Sequence, residues 1–242
     1  MKNNINYKNI NAIKSTLKNS ISVQKNKVAM FFKTGIGEYA EHDEFIGVSV
    51  PILRKIAKDF ENISQDELQE LITSKINEER LLALLILIKK YDKASDPQKQ
   101  KFYKFYLNNL SYVNNWNLVD TSAHLILGAH LADSNKDILF SLANSKIMWE
   151  RRIAIVSTWY FIKKHDLIWT FSIAEILLND THDLIHKAVG WMLREAGKRD
   201  EQQLILFLDK HQKNMPRTML RYAIEKFPET MRKNILRQNP DN

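Results

Sequence analysis

An alanine recurs at nearly constant intervals along the chain, each time within a segment whose apolar residues have helical spacing. The segments NEERLLALLIL, NLVDTSAHLIL, MWERRIAIVST, HDLIHKAVGWM and PRTMLRYAIEK align on Ala83, Ala123, Ala154, Ala188 and Ala223. Successive alanines are 40, 31, 34 and 35 residues apart. A small residue allows two helices to approach closely, and repeats of this length bury their apolar faces by stacking. The pattern predicts a stack of helical hairpins.

The remaining sequence also favours helices. Apolar residues recur with a period near 3.6, as at Leu68, Leu71, Ile72 and Ile76. Ser64 and Glu67 form the pattern of a capping box, and Asp96–Pro97 is a second helix start. No alternating strand with a hairpin turn is evident. We therefore predict an all-α fold, a HEAT-like or armadillo-type α-solenoid of stacked helical hairpins whose concave, basic groove is built from one helix of each hairpin.

No composition shift marks a domain boundary. We predict a single HEAT-like repeat domain over residues 1–242, with basic N-terminal helices in residues 1–37 and repeats over roughly residues 50–238. Four glycine and proline residues lie in or near one predicted loop, Thr34 to Pro51. Glycine and proline punctuate loops, so this segment separates the N-terminal helices from the repeats.

The charge is unevenly distributed. Residues 1–37 contain seven lysines and no acid, residues 38–185 carry a net charge of −4, and residues 186–242 carry +5. Two basic ends around a mildly acidic centre suit a polyanion such as nucleic acid. The alternative is that the lysines only keep the surface solvated.

Several classes of protein are disfavoured by what the sequence lacks. There is no cysteine, and the histidines, including His124 and His182, have no acid-rich partner cluster, so we expect no metal and no cofactor. The longest apolar run, Leu81 to Ile88, is too short to span a bilayer. The first ten residues lack the apolar core of a secretory signal. We expect a cytoplasmic protein that is monomeric and does not bind membranes.

The helix around Ala123 carries an unusual pair. Trp116 and Asp120 are four residues apart and therefore lie on one helical face, although Asp120 has apolar neighbours. If successive repeat helices line one groove, Arg152 and Trp191 would join this pair and form a nucleic-acid site of aromatic faces, a carboxylate and a guanidinium. The alternatives are that both tryptophans are packed core and that Asp120 pairs with Arg151 or Arg152 as a structural bridge.

Four blocks, in order along the chain, carry a family resemblance. They are NNWNLVDTSA, MWERRIAIVSTWYF, HDLIHKAVGWMLREAGKRD and MPRTMLRYAIEKFP, preceded by FIGVSVPILRKIAKDF. This set resembles the AlkD-like family of DNA alkylation repair proteins over roughly residues 20–238. The resemblance implies a HEAT-like solenoid that removes positively charged alkylpurines such as 3-methyladenine and 7-methylguanine from double-stranded DNA. It further implies a monofunctional DNA glycosylase without a metal, a cofactor or a base-flipping pocket.

The resemblance also assigns roles by position. Asp120, Trp116 and Arg152 match the catalytic residues of the family, and Trp191 matches its second groove tryptophan. We add Arg151, Arg194 and Lys187 as further DNA-binding candidates. Asn115 and Asn117 depart from the family pattern on either side of Trp116.

One carboxylate is sufficient for such a reaction. An N3- or N7-alkylated purine already carries a positive charge and leaves as a neutral base, so a general acid is not required. The charge that develops lies on the deoxyribose, where one carboxylate stabilises it and orients the attacking water. Two alternatives remain at the level of sequence: a non-catalytic relative that binds branched or distorted DNA, and a HEAT-type scaffold for protein interactions.

Overall fold

The computed structural model describes residues 8–239, and the regular elements in that range are helical. The one isolated β-bridge there joins Glu44 and Ile76. The all-α, helical-repeat class predicted from the sequence is therefore confirmed, whereas the concave basic groove stays a prediction. The predicted domain also includes residues 1–7 and 240–242, which lie outside the described range. No helix within residues 8–239 is both long enough and apolar enough to cross a bilayer.

The contacts within the chain divide it into two compact units, with the boundary after Ser122. Unit 1 contains α1 (Lys8–Asn19), α2 (Lys25–Phe32), α3 (Val50–Asp59), α4 (Gln65–Ile72), α5 (Asn77–Lys93), α6 (Asp96–Asn108), a 3-10 turn (Leu110–Tyr112) and all but the last residue of α7 (Trp116–Ala123). Unit 2 contains a π-helical turn (His124–Gly128), α8 (Asp137–Ala143), α9 (Met148–Ser157), α10 (Trp159–Lys163), α11 (Ile168–Ile176), a 3-10 turn (Leu177–Asn179), α12 (Asp183–Gly197), α13 (Glu201–His211), α14 (Arg217–Ala223) and α15 (Glu229–Gln238).

Helix α5 is the centre of unit 1. It packs against α3, α4 and α6, and its apolar residues from Leu81 to Leu87 are buried. The predicted capping box at Ser64 and Glu67 is present at the start of α4. The predicted helix start at Asp96 is also correct, because α6 begins there with Pro97 in its first turn. Pro51 lies in the first turn of α3, where its missing N–H has no helical partner to lose.

In unit 2, helix α12 lies close to its neighbouring helices. Helix α12 packs against both α9 and α14, and the repeat alanines Ala154, Ala188 and Ala223 are buried. A Cβ atom at Gly190 would lie 2.5 Å from the carbonyl oxygen of Met219, so only glycine allows this contact between α12 and α14. The small residues therefore mark the close approach that the repeat spacing predicts.

One local motif occurs in both units, 71 residues apart. The segments SKINEER and SKIMWER start at Ser74 and Ser145. In unit 1, Nη1 of Arg80 donates to the carbonyl oxygens of Ser74 (2.8 Å) and Lys75 (3.1 Å). In unit 2, Arg151 does the same to Ser145 (3.0 Å) and Lys146 (3.1 Å). Each arginine also pairs with an aspartate, and we call this arrangement the arginine clip because it fastens the turn to the helix that follows.

Candidate functional site

Unit 1 contains a mostly apolar cavity of about 330 Å³. Helix α7 contributes Trp116, Asn117, Asp120 and Thr121 to its wall, and α5 contributes Asn77, Glu78 and Leu81. The rest of the wall comes from α2, α3 and the segments beside them, with Val23, Val28, Phe31, Phe32, Phe45, Gly47, Val48, Ser49, Val50 and Leu53. We refer to it as the Trp116 cavity.

Aromatic rings form one side of the Trp116 cavity. The rings of Trp116 and Phe32 are stacked with centroids 5.0 Å apart, and Phe32 also stacks on Phe45 at 4.5 Å. Phe31 contacts the indole edge-on at 5.7 Å. Stacked and edge-to-face pairs of this kind contribute about 0.5–1.5 kcal/mol each beyond the area they bury. Phe32 therefore covers one face of Trp116 and fixes the plane of the indole.

A buried carboxylate holds the loop on the other side. Glu78 accepts hydrogen bonds from the backbone N–H groups of Ile46, Gly47 and Val48, the shortest at 2.7 Å from Gly47. Gly47 has a φ of +92°, and a Cβ atom there would lie 2.2 Å from the carbonyl oxygen of Val23. Only glycine combines that backbone conformation with that close approach. Glu78 and Gly47 together set the shape of the cavity floor.

The start of α7 is fixed by a buried polar network. Asp43 pairs with Arg80 and accepts hydrogen bonds from the side-chain amides of Asn77 (2.8 Å) and Asn115 (2.6 Å). Asn117 donates to the side-chain oxygen of Asn77 at 2.7 Å. Asn115 and Asn117, on either side of Trp116, thus connect α7 to the arginine clip of unit 1. The network holds Trp116 between them.

The predicted pair Trp116 and Asp120 is brought together in this cavity. Both side chains are partly exposed, one helical turn apart on α7, and both line the same wall. The apolar neighbours Leu118 and Val119 are fully buried. Asp120 thus lies on the side of α7 that lines the cavity and not in the apolar core of unit 1. Its catalytic role stays a prediction.

The predicted arginines lie in unit 2. Arg152 is buried on α9 and donates from Nη1 to the carbonyl oxygen of Leu184. Arg151 belongs to the second clip, where its Nε lies 2.6 Å from the carboxylate of Asp180. These contacts give both guanidinium groups a structural role within unit 2. Their predicted contact with DNA, and the meeting of Arg152 with Asp120, stay predictions.

The other DNA-binding candidates lie on α12. Trp191 is partly exposed, and its ring meets that of Trp159 edge-on at 5.0 Å. Arg194 pairs with Glu225 and Lys187 pairs with Asp183 at 2.6 Å. Partly exposed ion pairs of this kind are weak, so they can exchange a carboxylate for a phosphate at small cost.

Trp159 and Lys163 form a cluster around Trp191 that the sequence did not single out. The Nζ of Lys163 lies 4.2 Å from the ring centroid of Trp159, and His124 contacts the same ring at 4.5 Å. Burial lowers the pKa of Lys163, and the nearby Arg199 lowers it further.

Residues 8–239 contain no group of three or more His, Asp or Glu side chains placed to hold a metal ion.

Several site residues were missed because their signal is not local. Phe31 and Phe32 lie more than 80 positions before Trp116, in a segment predicted only as basic helices. Glu78 lies in the first turn of a helix, where a carboxylate is ordinary. One signal for the polar network was present in the sequence, namely the segment Asn-Trp-Asn at Asn115–Asn117. Two side-chain amides at the start of a helix need hydrogen-bond partners, and here those partners lie elsewhere in the chain.

Comparisons with known proteins support the family resemblance that the four sequence blocks carry. A family model described as DNA alkylation repair enzyme matches residues 13–227. A solved structure described as a predicted DNA alkylation repair enzyme from Enterococcus faecalis has a similar fold, with a TM-score of 0.64 and 16% sequence identity. The match covers 86% of this chain and 99% of that chain. No curated protein matches the sequence.

Proposed function

This chain belongs to the family of DNA alkylation repair enzymes, and we propose that it is a monofunctional DNA glycosylase for positively charged alkylpurines. Its substrates would be lesions such as 3-methyladenine and 7-methylguanine in double-stranded DNA, met in the cytoplasm by a monomer. The observation that carries the proposal is the placement of Trp116 and Asp120 on one wall of one cavity.

The reaction is a hydrolysis of the N-glycosidic bond. The bond between C1′ and the purine nitrogen breaks with its electron pair moving to the cationic base, which leaves neutral. Water then bonds to C1′ and releases one proton to the solvent, which leaves an abasic sugar with a hydroxyl group at C1′. Asp120 stabilises the positive charge that develops on the deoxyribose and orients that water as it loses the proton. Protonation of the leaving base is not required, so one carboxylate suffices.

The surroundings of Asp120 support this assignment. The indole of Trp116 is held in place by Phe32, so it presents a fixed aromatic surface next to the carboxylate. An aromatic face near a developing cation contributes about 0.5–2 kcal/mol. The buried network of Asp43, Arg80 and Asn115 keeps the start of α7 in place before substrate binds. Such preorganisation lets the carboxylate act without further rearrangement.

The test is release of free bases from methylated duplex DNA. The protein is incubated with DNA treated with a methylating agent, and the supernatant is analysed for 3-methyladenine and 7-methylguanine. The proposal predicts release of these bases, with abasic sites left in unbroken strands. Binding of branched or distorted duplexes without release of any base would instead identify a non-catalytic DNA-binding relative.

A substitution at Arg152 tests whether this side chain contributes to DNA binding. We propose that it contacts a phosphate beside the lesion in addition to its bond with Leu184. Replacing Arg152 with alanine should then weaken DNA binding. It should also reduce the magnitude of the slope of log affinity against log salt concentration by about one, the value for one lost phosphate contact. A weaker binding with an unchanged slope would assign Arg152 to the Leu184 contact alone.

A further inference from the structure

Another cavity in unit 1, of about 240 Å³, lies beside the C-terminal end of α5. Its charged groups are three ammonium groups and one carboxylate, and two side-chain amides add to its polar lining. These residues are Lys89, Lys90, Lys93, Glu61, Asn62 and Gln98. None of the described residues lines both this cavity and the Trp116 cavity. We refer to it as the Lys90 pocket.

The positive charges of the Lys90 pocket exceed the negative charge available to them. The Nζ of Lys93 lies 2.8 and 2.9 Å from the two carboxylate oxygens of Glu61. Within residues 8–239, Lys89 and Lys90 have no carboxylate at ion-pairing distance. Burial lowers the pKa of Lys90, although the charges of Glu61 and Glu67 oppose the shift. Two of the three ammonium groups are therefore left without an ion-pair partner in the described part of the chain.

The equivalent repeat helix in unit 2 also carries two of these cations. Lys89 lies six residues after the repeat alanine of α5, and Arg194 lies six residues after that of α12. Lys93 and Lys198 likewise share the position ten residues after the alanine. In unit 2 both cations pair with the carboxylate of Glu195, which lies 3.5 Å from Arg194. That repeat therefore neutralises its cations from within the chain.

Unit 1 has a lysine where unit 2 has the neutralising carboxylate. Glu195 lies seven residues after the repeat alanine of α12, and Lys90 lies seven residues after that of α5. The charge at this position is thus reversed, and Glu61 compensates for one of the three lysines. A cluster of like charges beside a cavity is unfavourable unless an anion from outside the chain enters it.

We propose that the Lys90 pocket binds a phosphate group, which takes the place that the carboxylate of Glu195 has in unit 2. Each ammonium group has three N–H donors, and charge-assisted hydrogen bonds to phosphate oxygens are strong. Gln98 can add a donor, because its side-chain oxygen already accepts from Ser95 at 3.1 Å and its NH₂ group remains. The inference goes beyond the proposed function, since it assigns a second site away from the reacting sugar.

The size of the pocket limits what it encloses. Sites that enclose whole small molecules range from about 300 to 1,000 Å³. At about 240 Å³ the Lys90 pocket is below that range and suits the phosphate group alone. The phosphate group belongs either to the backbone of bound DNA or to a free phosphate monoester, and the chemistry of recognition is the same for both.

Calorimetric titration of the full chain with inorganic phosphate tests the pocket without DNA. The decisive variant is Lys90→Glu, which gives unit 1 the carboxylate that unit 2 has. The new carboxylate should pair with Lys89 and Lys93, weaken phosphate binding by about tenfold or more and leave the urea midpoint of unfolding no lower. The matched control is Lys104→Glu, which makes the same charge change at an exposed lysine of α6 outside the pocket. It should bind phosphate as the parent does.

The salt dependence of duplex DNA binding identifies the source of the phosphate. If DNA supplies it, Lys90→Glu should reduce the magnitude of the salt slope by about one more than Lys104→Glu does. A loss of phosphate affinity in Lys90→Glu with equal slopes in both variants would identify a free phosphate monoester.

The inference would be overturned if neither phosphate affinity nor salt slope distinguished Lys90→Glu from Lys104→Glu. A loss of stability in Lys90→Glu with both of these unchanged would have the same meaning, because Lys90 would then only offset the dipole at the end of α5. Both measurements use DNA or phosphate without base release. Their failure therefore leaves the glycosylase proposal standing, and absence of base release leaves the phosphate site standing.

Discussion

The arginine clips of the two units begin with the same residues but have different surroundings. In unit 2, Arg151 is partly exposed and pairs with Asp180, which also accepts the backbone N–H of His182 at 2.9 Å. In unit 1, Arg80 and Asp43 are both buried, and the carboxylate is also contacted by the amides of Asn77 and Asn115 and by Nε2 of His42. The first clip fastens a turn and supports α7 through two asparagines, whereas the second fastens a turn and reaches the start of α12 through the partly exposed pair of Arg151 and Asp180.

The difference between the two clips indicates how one repeat helix can carry a candidate catalytic residue in place of a structural arginine. When the repeat helices are aligned on their alanines, Arg80 and Arg151 lie three residues before Ala83 and Ala154. Asp120 lies at the same position before Ala123. The helix that carries the candidate catalytic acid therefore lacks a clip of its own, and the neighbouring clip holds it through Asn115 and Asn117. The stability of the first clip should matter for activity, and that of the second should matter less.

The largest expected effect on stability is that of Asp43→Ala. The substitution leaves the guanidinium of Arg80 buried without its carboxylate, which typically costs about 3–5 kcal/mol. Urea unfolding measures the loss, and Asp92→Ala, an exposed aspartate on α5, is the control. A loss no greater than that of the control would show that Asp43 does not anchor the network.

A smaller loss is expected for Asp180→Ala in the second clip. Arg151 keeps part of its surface in water, so its charge stays partly hydrated when the partner is removed. We expect a loss of about 2 kcal/mol, the range for a hydrogen bond to a charged group. If Asp180→Ala destabilised the protein as much as Asp43→Ala, the proposed contrast between the clips would be wrong.

The smallest effect is a pH dependence in the second clip. Burial lowers the pKa of His182 below its ordinary value of 6.5, although Asp180 and Asp183 oppose the shift. The unfolded chain therefore takes up a proton at a higher pH than the folded chain, and stability falls as the pH drops below about 6.5. Protonation at Nδ1 would also remove the acceptor for the N–H of Leu184.

His182→Asn tests this dependence because asparagine keeps an acceptor at the helix N-terminus. Thermal melts between about pH 8 and pH 5 should show a smaller decrease in Tm for the variant than for the parent. Equal decreases would exclude His182 as a source of acid sensitivity.

The sequence predicted the elements whose signals are local. The capping box at Ser64, the helix start at Asp96 and the buried repeat alanines are set by neighbouring residues and by helical periodicity. The pairing of Trp116 with Asp120 on one face follows from a spacing of four. The stack of Phe32 on Trp116 depends on contacts across more than 80 residues, which no local pattern encodes.

The burial of Arg152 likewise had no sequence signal. An Arg-Arg pair on a helix is ordinarily solvated, yet Arg152 is buried and bonds to a carbonyl on another helix. Which of two adjacent arginines turns inward depends on the packing of α9 against α12, which only the folded chain defines.

The central claim is that Asp120 acts on the reacting sugar rather than on the fold or on DNA affinity. Single-turnover release of 7-methylguanine from methylated duplex DNA tests it most directly, with Asp120→Asn compared against the parent and against Asp92→Asn. We expect Asp120→Asn to bind DNA as the parent does and to release the base about 100- to 1,000-fold more slowly, while Asp92→Asn keeps the parental rate. Release by Asp120→Asn at the parental rate would contradict the account.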